Sequence, residues 1–320
     1  MSERSGGRLV TAVIVAHNRR DLLAETLDAL AGQTRALDRV VVVDNASTDD
    51  SAAVAASYID RLPLDVVRLE RNTGGAGGFA AGMAVALDAE PADWIWLMDD
   101  DTVPEPEALA ALLGVVEPGG YAVGGSRVVW VDGREHPMNT PRSKPFASRG
   151  ERSAAERYGS VPIRTTSFVS MLIRADVVRQ IGLPIADYFI WNDDFEYSAR
   201  ALRGRRGVHV PASVVVHKTK ELASTDADPG ERFFFEVRNK LWLFRFSQGL
   251  TVPEKVMYGA SSVRRWLRTY LRSRERSVIA DGWRRGRRDG LRSRPRRNAQ
   301  ALSGLGQVTI AVEAFDGVER

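Results

Sequence analysis

At 320 residues, 44% apolar and 27% charged, with 28 glycines and 14 prolines, the chain has the length of one large domain or one and a half and the balance of an ordinary folded protein, which excludes a disordered or fibrous chain. Cysteine is absent, which excludes disulfides, a thiolate metal site and a cysteine nucleophile, and leaves a cytoplasmic setting as the expectation. The net charge of +4 conceals fourteen arginines against Glu275, Asp281 and Asp289 between Arg264 and Arg297, a surplus of eleven that leaves the remainder at −7. Such a basic tail draws an anionic surface, either nucleic acid or the inner face of a membrane.

Met1 to Arg8 is polar and leads into a short apolar run, Leu9–Ala16. That run is too short and wrongly flanked for a signal peptide or spanning helix, so nothing is expected to cross a bilayer. It reads instead as a buried strand. Asp21–Ala31 follows as a helix with Leu23, Leu27 and Leu30 on one face, then Val40–Asp44 as a strand. Ser47 or Thr48 is expected to cap a helix reaching about Tyr58, with Asp49 and Asp50 in its first turn. Asp65–Glu70 is a third strand, the Gly-rich loop Asn72–Gly78 opens a helix to about Asp88, and Trp94–Met98 is a fourth strand ending in Asp99, Asp100 and Asp101. This alternation predicts an α/β fold with a parallel sheet wrapped by helices. In such sheets ligands bind beyond the carboxyl ends of the strands, so Asp44 and the Asp99 cluster are expected to face one crevice.

Tyr121–Asp132 reads as another strand, and Gly133–Arg164, rich in Pro, Arg and Ser, as a long, partly mobile excursion. Further on come a β segment at Thr166–Ile173, a helix at Ala175–Ile181, the aromatic and acidic segment Asp187–Tyr197 opening a helix to about Arg203, and a β run at Ser213–His217. Glu231–Ser247 has helical spacing and a basic helical region follows from Pro253. Asn298–Arg320 is uninformative. Residues 1–248 are read as the main domain and 249–320 as a basic, mainly helical C-terminal region.

Three adjacent carboxylates after an apolar strand repel one another unless a cation joins them, and hard oxygen ligands suit Mg²⁺ or Mn²⁺. The bland alternative is a solvated acidic turn. The loop Arg71–Gly78 offers backbone N–H groups and a helix N-terminus to a diphosphate. It also satisfies a loose dinucleotide fingerprint after the wrong strand, and its glycines equally suit a tight turn. Asp193 and Asp194 lie in an aromatic setting that raises a carboxylate pKa toward a usable general base, or they simply cap a helix. His217 ends a β run as a possible ion ligand or a structural histidine. His17, after the first strand, faces the same crevice, while nothing in the sequence favours His136 or His209.

These pieces, Val13-Ile14-Val15-Ala16-His17-Asn18, Val43-Asp44-Asn45-Ala46-Ser47, Asn72-Thr73-Gly74-Gly75-Ala76-Gly77-Gly78, the Asp99–Asp101 triplet, Asp193-Asp194 and His217, resemble in this order the family-2 inverting glycosyltransferases. The resemblance spans about residues 8 to 245 and implies the GT-A nucleotide-sugar-binding fold. It implies that Asp44 contacts the base, with Asn45 and Ser47 shaping its turn and His17 and Asn18 beside it. Asn72, Gly74, Gly75 and Gly77 would lie near the nucleotide and diphosphate. Asp99, Asp101 and His217 would hold Mn²⁺ or Mg²⁺, and Asp100 would face the ribose or donor sugar. Asp194 would be the base, with Asp193 positioning the acceptor. Trp96–Asp101, the glycine loop and Trp191–Tyr197 look most like bacterial galactofuranosyl- and rhamnosyltransferases of cell-wall and surface-polysaccharide assembly, in which Arg238-Asn239 also recurs. The implied donor is a UDP- or dTDP-sugar, UDP-galactofuranose first and dTDP-rhamnose next, and the implied acceptor is lipid-linked or a polysaccharide.

The tail, with Trp266, Leu267, Tyr270, Leu271 and Trp283 among its arginines, fits peripheral binding to the inner face of an anionic membrane. A solvated helix face or a subunit interface are its alternatives. Nothing in residues 1 to 250 resembles a nucleic-acid recognition fold, so no nucleic-acid partner is expected. The reading from another class is a catalytically silent module of the same fold that organises a membrane complex.

Overall fold

The structure, a computed structural model, describes residues 8–88, 91–222 and 228–316. Apolar runs that are buried on both faces set its centre. In β1 (Val10–Ala16), β2 (Arg39–Asp44) and β4 (Trp94–Asp99), odd-numbered residues such as Val13, Val15, Val43 and Leu97 enter one core, and even-numbered ones such as Ile14, Val42, Trp96 and Met98 enter the other. Such two-sided burial is what a parallel sheet covered by helices requires.

With β3 (Leu64–Arg68), these strands form the parallel half of a ten-stranded sheet in the order β3-β2-β1-β4. The order continues through β9 (Met171–Arg174), β6 (Val123–Val129), β10 (Gly207–His217), β8 (Val161–Thr165) and β7 (Arg142–Ser143). Strand β9 runs antiparallel to both β4 and β6, and β10 is parallel to β6, so β1, β2, β3, β4, β6 and β10 all point the same way. The expected fold class holds. A short β5 (Thr102–Pro104) pairs antiparallel with the end of β10, setting His217 opposite Thr102. Register aligns Ala16 with Asp44 and Val15 with Asp99, so the ends of β1, β2 and β4 meet on one edge.

Helices α1 (Arg20–Ala31) and α4 (Ala108–Gly119) cover one face, and α3 (Gly74–Asp88) the other. The helix expected from Ser47 or Thr48 is shorter, α2 (Ser51–Ala56), with Asp50 at its N-cap. Ser47 is diverted: its Oγ accepts the Asn18 N–H at 3.1 Å, while its own N–H donates to Asp44 Oδ1 at 3.0 Å. The stretch 133–164 is also more built than expected. It contains β7, α5 (Arg149–Glu156), closed by a Ser148–Glu151 capping box, and β8. Its periodicity is weak because each piece is short and held by distant partners; buried Arg164 donates to Glu254 at 2.6 Å and to the Ala199 carbonyl at 2.7 Å.

Of the later helices, α6 (Ala175–Ile181) packs into the core that α3 covers, whereas α7 (Asp193–Ala201), α8 (Phe233–Phe246) and α9 (Val252–Arg272) all reach the open side. The chain beyond residue 249 packs back on what precedes it. Helix α10 (Arg276–Arg292) lies along α8 so closely that a Cβ on Gly286 would stand 2.7 Å from the Phe234 carbonyl oxygen. The last segment, α11 (Asn298–Ala301) and α12 (Gln307–Glu313), puts Leu302, Leu305, Val308 and Val312 into the core shared with α3. None of the described helices is long and apolar enough to cross a membrane.

Candidate active site

Three loops leave the edge where β1, β2 and β3 end, and their side chains stitch them together. Asn45 is the centre: its Oδ1 accepts the Thr73 N–H at 2.8 Å, and its Nδ2 donates to the Gly74 carbonyl at 3.0 Å. The Asn45 carbonyl can only accept, so the His17 Nδ1 3.0 Å away carries the proton, and Nε2 accepts from Asn72 Nδ2 at 3.1 Å. Asn18, at φ 54°, offers Oδ1 to the Thr48 N–H at 2.7 Å. Asp44 is buried, receives the Ser47 N–H, and faces Arg68 Nε at 3.5 Å. His17, Asn18, Asp44, Asn45, Ser47 and Asn72 therefore form one rim.

The glycines divide. Gly74 sits at φ +71°, where a Cβ would fall 2.0 Å from the Phe189 carbonyl oxygen, so no other residue fits. Gly75 lies on the pocket with open space at its Cβ position. Gly77, taken from the sequence as part of the loop, is buried in the first turns of α3 against Thr73 and Leu302.

Beyond the rim lies a pocket of 580 Å³. Asp99, Asp101 and His217 each bring one ligand atom to it, all within 4.8 Å of one another. His217 Nε2 is 3.1 Å from Asp101 Oδ1, an oxygen that is buried and receives no well-aligned hydrogen bond. His217 Nδ1 faces Asn139 Oδ1 at 3.0 Å, which fixes the ring. Two carboxylates and an imidazole, one oxygen left unsatisfied, fit a divalent ion such as Mn²⁺ or Mg²⁺. Burial pushes Asp99 up to about 6, aided by the charge on Asp101. For Asp101 burial acts the same way, but the close approach and charge of His217, with Arg19, outweigh it and hold the group below its ordinary value. Asp100 turns toward the rim, accepting the His17 N–H at 3.0 Å and facing Arg19 at 3.3 Å, and burial raises it to about 7.

The same pocket is lined by the start of α7, Asp193 and Asp194. The turn before it is strained: Phe189, Trp191 and Asn192 all have φ near 65°, a region costly for aromatic residues. Helix α8 holds this turn. Asn239 Nδ2 reaches the carbonyls of Tyr188, Ile190 and Trp191 at 2.8 to 2.9 Å, Arg238 donates to those of Asp187 and Tyr188, and Asn192 donates to Glu236 at 2.8 Å. Burial, then the charge of Asp194, pushes Asp193 well above the carboxylate range. Asp194 is raised by burial as well, against the pull of the Phe195 N–H on its Oδ1 at 2.6 Å and of the Lys240 and Arg142 charges.

Sequence reasoning missed several residues here. His136, dismissed above, is buried with its ring 4.8 Å from that of His217, and burial lowers it to about 4, so it stays neutral. Arg19, Asn139 and Lys240 also line the pocket. Only the pocket brings them together, and no local pattern marked them. Trp266, read as an interfacial side chain, turns inward and donates to Glu236 at 3.1 Å.

A parallel sheet whose strand ends gather carboxylates and a histidine beside a glycine-opened helix is the frame of the GT-A glycosyltransferases. The chain belongs to glycosyl transferase family 2, whose model matches residues 11–182. Galactofuranosyltransferase GlfT1 of Mycobacterium tuberculosis is 35% identical over 198 residues, 61% of this chain and 64% of that protein. GlfT1 of Mycolicibacterium smegmatis is 35% identical over 203 residues, 61% of this chain and 66% of the relative. The matched part thus spans just under two thirds of these relatives. Among solved structures, Staphylococcus aureus TarS 1–349 in complex with UDP-GlcNAc is similar with a TM-score of 0.62 at 18% identity, over 97% of this chain and 90% of that one, which supports the fold.

Proposed function

We propose that the chain is a metal-dependent, inverting glycosyltransferase that moves a sugar from a UDP- or dTDP-sugar, UDP-galactofuranose first and dTDP-rhamnose next, to a lipid-linked or polysaccharide acceptor in surface-glycan synthesis. One observation carries this reading: Asp99, Asp101 and His217, grouped closely enough to share an ion, line the same pocket as Asp193 and Asp194. The GlfT1 relatives favour galactofuranose as the donor sugar, and the TarS complexes favour a uridine nucleotide.

A divalent ion held by Asp99, Asp101 and His217 would supply a Lewis acid for the charge of the departing diphosphate. The rim then seats the nucleotide, with buried Asp44 at the base. Of the two adjacent acids, Asp193 keeps its proton, because two buried neighbours do not both ionise. Asp194 uses Oδ1 for the Phe195 N–H, which leaves Oδ2 to take the proton of an acceptor hydroxyl as that oxygen attacks the anomeric carbon. Attack from the face opposite the leaving diphosphate inverts the centre without a covalent intermediate.

The same proposal includes an anionic membrane surface. On α9, Val252, Val256, Val263, Leu267 and Tyr270 are all exposed and fall within an arc of about 60° at 3.6 residues per turn. With Arg264 beside this stripe and the arginines of α10, the face suits anionic headgroups. Salt-sensitive binding to anionic liposomes is the expected result, and equal binding by a protein cut after residue 248 would remove this part.

A donor panel tests the activity. UDP-galactofuranose, UDP-galactopyranose, UDP-glucose, UDP-N-acetylglucosamine and dTDP-rhamnose are scored by nucleotide release, with Mn²⁺ or a chelator and with or without a lipid-linked acceptor. Turnover of one donor only with metal supports the reading; turnover unaffected by the chelator contradicts its metal dependence.

A further inference from the structure

Lys240 stands out among the groups the proposed reaction does not use. It projects from α8 to the pocket wall, is only 6% exposed, and its ammonium makes no hydrogen bond or ion pair with any described residue. Its Nζ sits 4.0 Å from the centroid of the Phe195 ring, directly after Asp194. Apart from that ring face it has no direct partner among the described residues, and a buried ammonium with no hydrogen-bonded acceptor is unfavourable unless something anionic completes it. Burial accordingly lowers it to about 8, still charged at neutral pH.

Nearby carboxylates are engaged elsewhere. Glu236 spends Oε1 on Arg265 and on Trp266 Nε1, and Oε2 on Asn192. Asp194 receives the Phe195 N–H on Oδ1 and, although its charge and that of Lys240 act on each other, makes no hydrogen bond or ion pair with it. More cations converge on the same wall: Arg142 stands with Cζ 5.8 Å from the Phe195 centroid, and Arg265 also lines the pocket. These three come from three elements, α8, β7 and α9, and line one pocket. The donor's diphosphate belongs with Asp99, Asp101 and His217, a different set of residues lining the same pocket.

We infer that Lys240, with Arg142 and Arg265, forms an anion subsite beside Asp194 that receives a phosphate group carried by the acceptor. A phosphate ester offers several free oxygens and up to two negative charges, which matches Lys240, Arg142 and the remaining donors of Arg265, whose charge is shared with Glu236, better than a single carboxylate does. Held there, the phosphate anchors the acceptor so that its hydroxyl meets Asp194. The placement on the acceptor side rests on the reading of Asp194 as the base, whereas the subsite itself does not.

The test is a binding measurement that needs no turnover. Octyl phosphate and octyl glucoside are titrated calorimetrically into the full chain in chelator, with wild type, Lys240→Met, Lys240→Arg and Asp101→Asn. Wild type binds octyl phosphate at least about tenfold tighter than octyl glucoside. Lys240→Met erases that preference, while Lys240→Arg and Asp101→Asn keep it. Equal affinity for octyl phosphate in wild type and Lys240→Met overturns the subsite. Displacement of octyl phosphate by UDP with Mn²⁺ also overturns it, since the anion then sits in the donor's diphosphate site. If Lys240→Met does not fold, as judged by its melting curve, Arg142→Gln takes its place, with a partial loss expected and no loss counting against the proposal. A chain that binds octyl phosphate as described but turns over no donor keeps the anion subsite and loses the transferase reading; transfer without the phosphate preference does the reverse.

Discussion

Asp44 and Asp99 end strands whose neighbours are fixed by a parallel sheet, whereas Asp193 and Asp194 follow a turn with three left-handed residues that α8 must hold in shape. The first wall gets its geometry from register: once β1, β2 and β4 pair, their ends coincide. The second gets its geometry from side chains far away in sequence, chiefly Glu236, Arg238 and Asn239. A wall built by register tolerates change at most positions along its strands, while a wall built by a clamp depends on a few particular atoms.

Substitutions separate the two walls. Asp194→Asn removes the proposed base from the clamped side and should cut transfer by about 10² to 10⁴ while leaving UDP affinity intact; a matching loss of UDP affinity in calorimetry would show that the walls are not independent. Asn239→Ala removes the side-chain donor from the Ile190 and Trp191 carbonyls of the strained turn, while that of Tyr188 keeps Arg238. It should lower kcat by roughly 10- to 100-fold through misplacement of Asp194, with donor KM unchanged. Unchanged kcat would mean that the turn holds itself.

Gly74→Ala tests where the walls touch, because its Cβ would strike the Phe189 carbonyl of the clamped turn. It should cost about 2 kcal/mol or more in denaturant unfolding; a smaller change would show that the turn moves aside. The gentlest probe is pH. Burial raises Asp194, and Lys240, Arg142 and the Phe195 N–H pull it back, with Asp193 and Asp99 also facing this site. A base acts only when deprotonated, so kcat should fall as pH drops through a value above the ordinary carboxylate range. Lys240→Met removes a positive charge and should move that fall to higher pH; a shift the other way would break the assignment.

The same contrast explains what could be read in advance. His17, Asp44, the Asp99–Asp101 triplet and His217 follow apolar runs of strand length, so a linear pattern marks both the strand and the chemistry at its end. Arg19, Asn139, His136 and Lys240 carry no such mark. His136 lies in a stretch without periodicity, and its place beside His217 depends on β6 and β10 pairing and on the chain returning past them. Asn239 sits in a helix that the sequence does show, but which carbonyls it would meet is decided by a turn some fifty residues earlier. Ser47 illustrates a local rule overruled, since its hydroxyl serves Asn18 across the rim and the helix starts later, at Ser51.

The central claim is that Asp99, Asp101 and His217 hold a divalent ion with the nucleotide, independently of the wall that carries Asp194. Mn²⁺ binding in the presence of UDP, followed by electron paramagnetic resonance in wild type, Asp101→Asn and Asp194→Asn, tests it most directly. The account predicts that bound Mn²⁺ is lost in Asp101→Asn and retained in Asp194→Asn. Equal retention in both variants would contradict it.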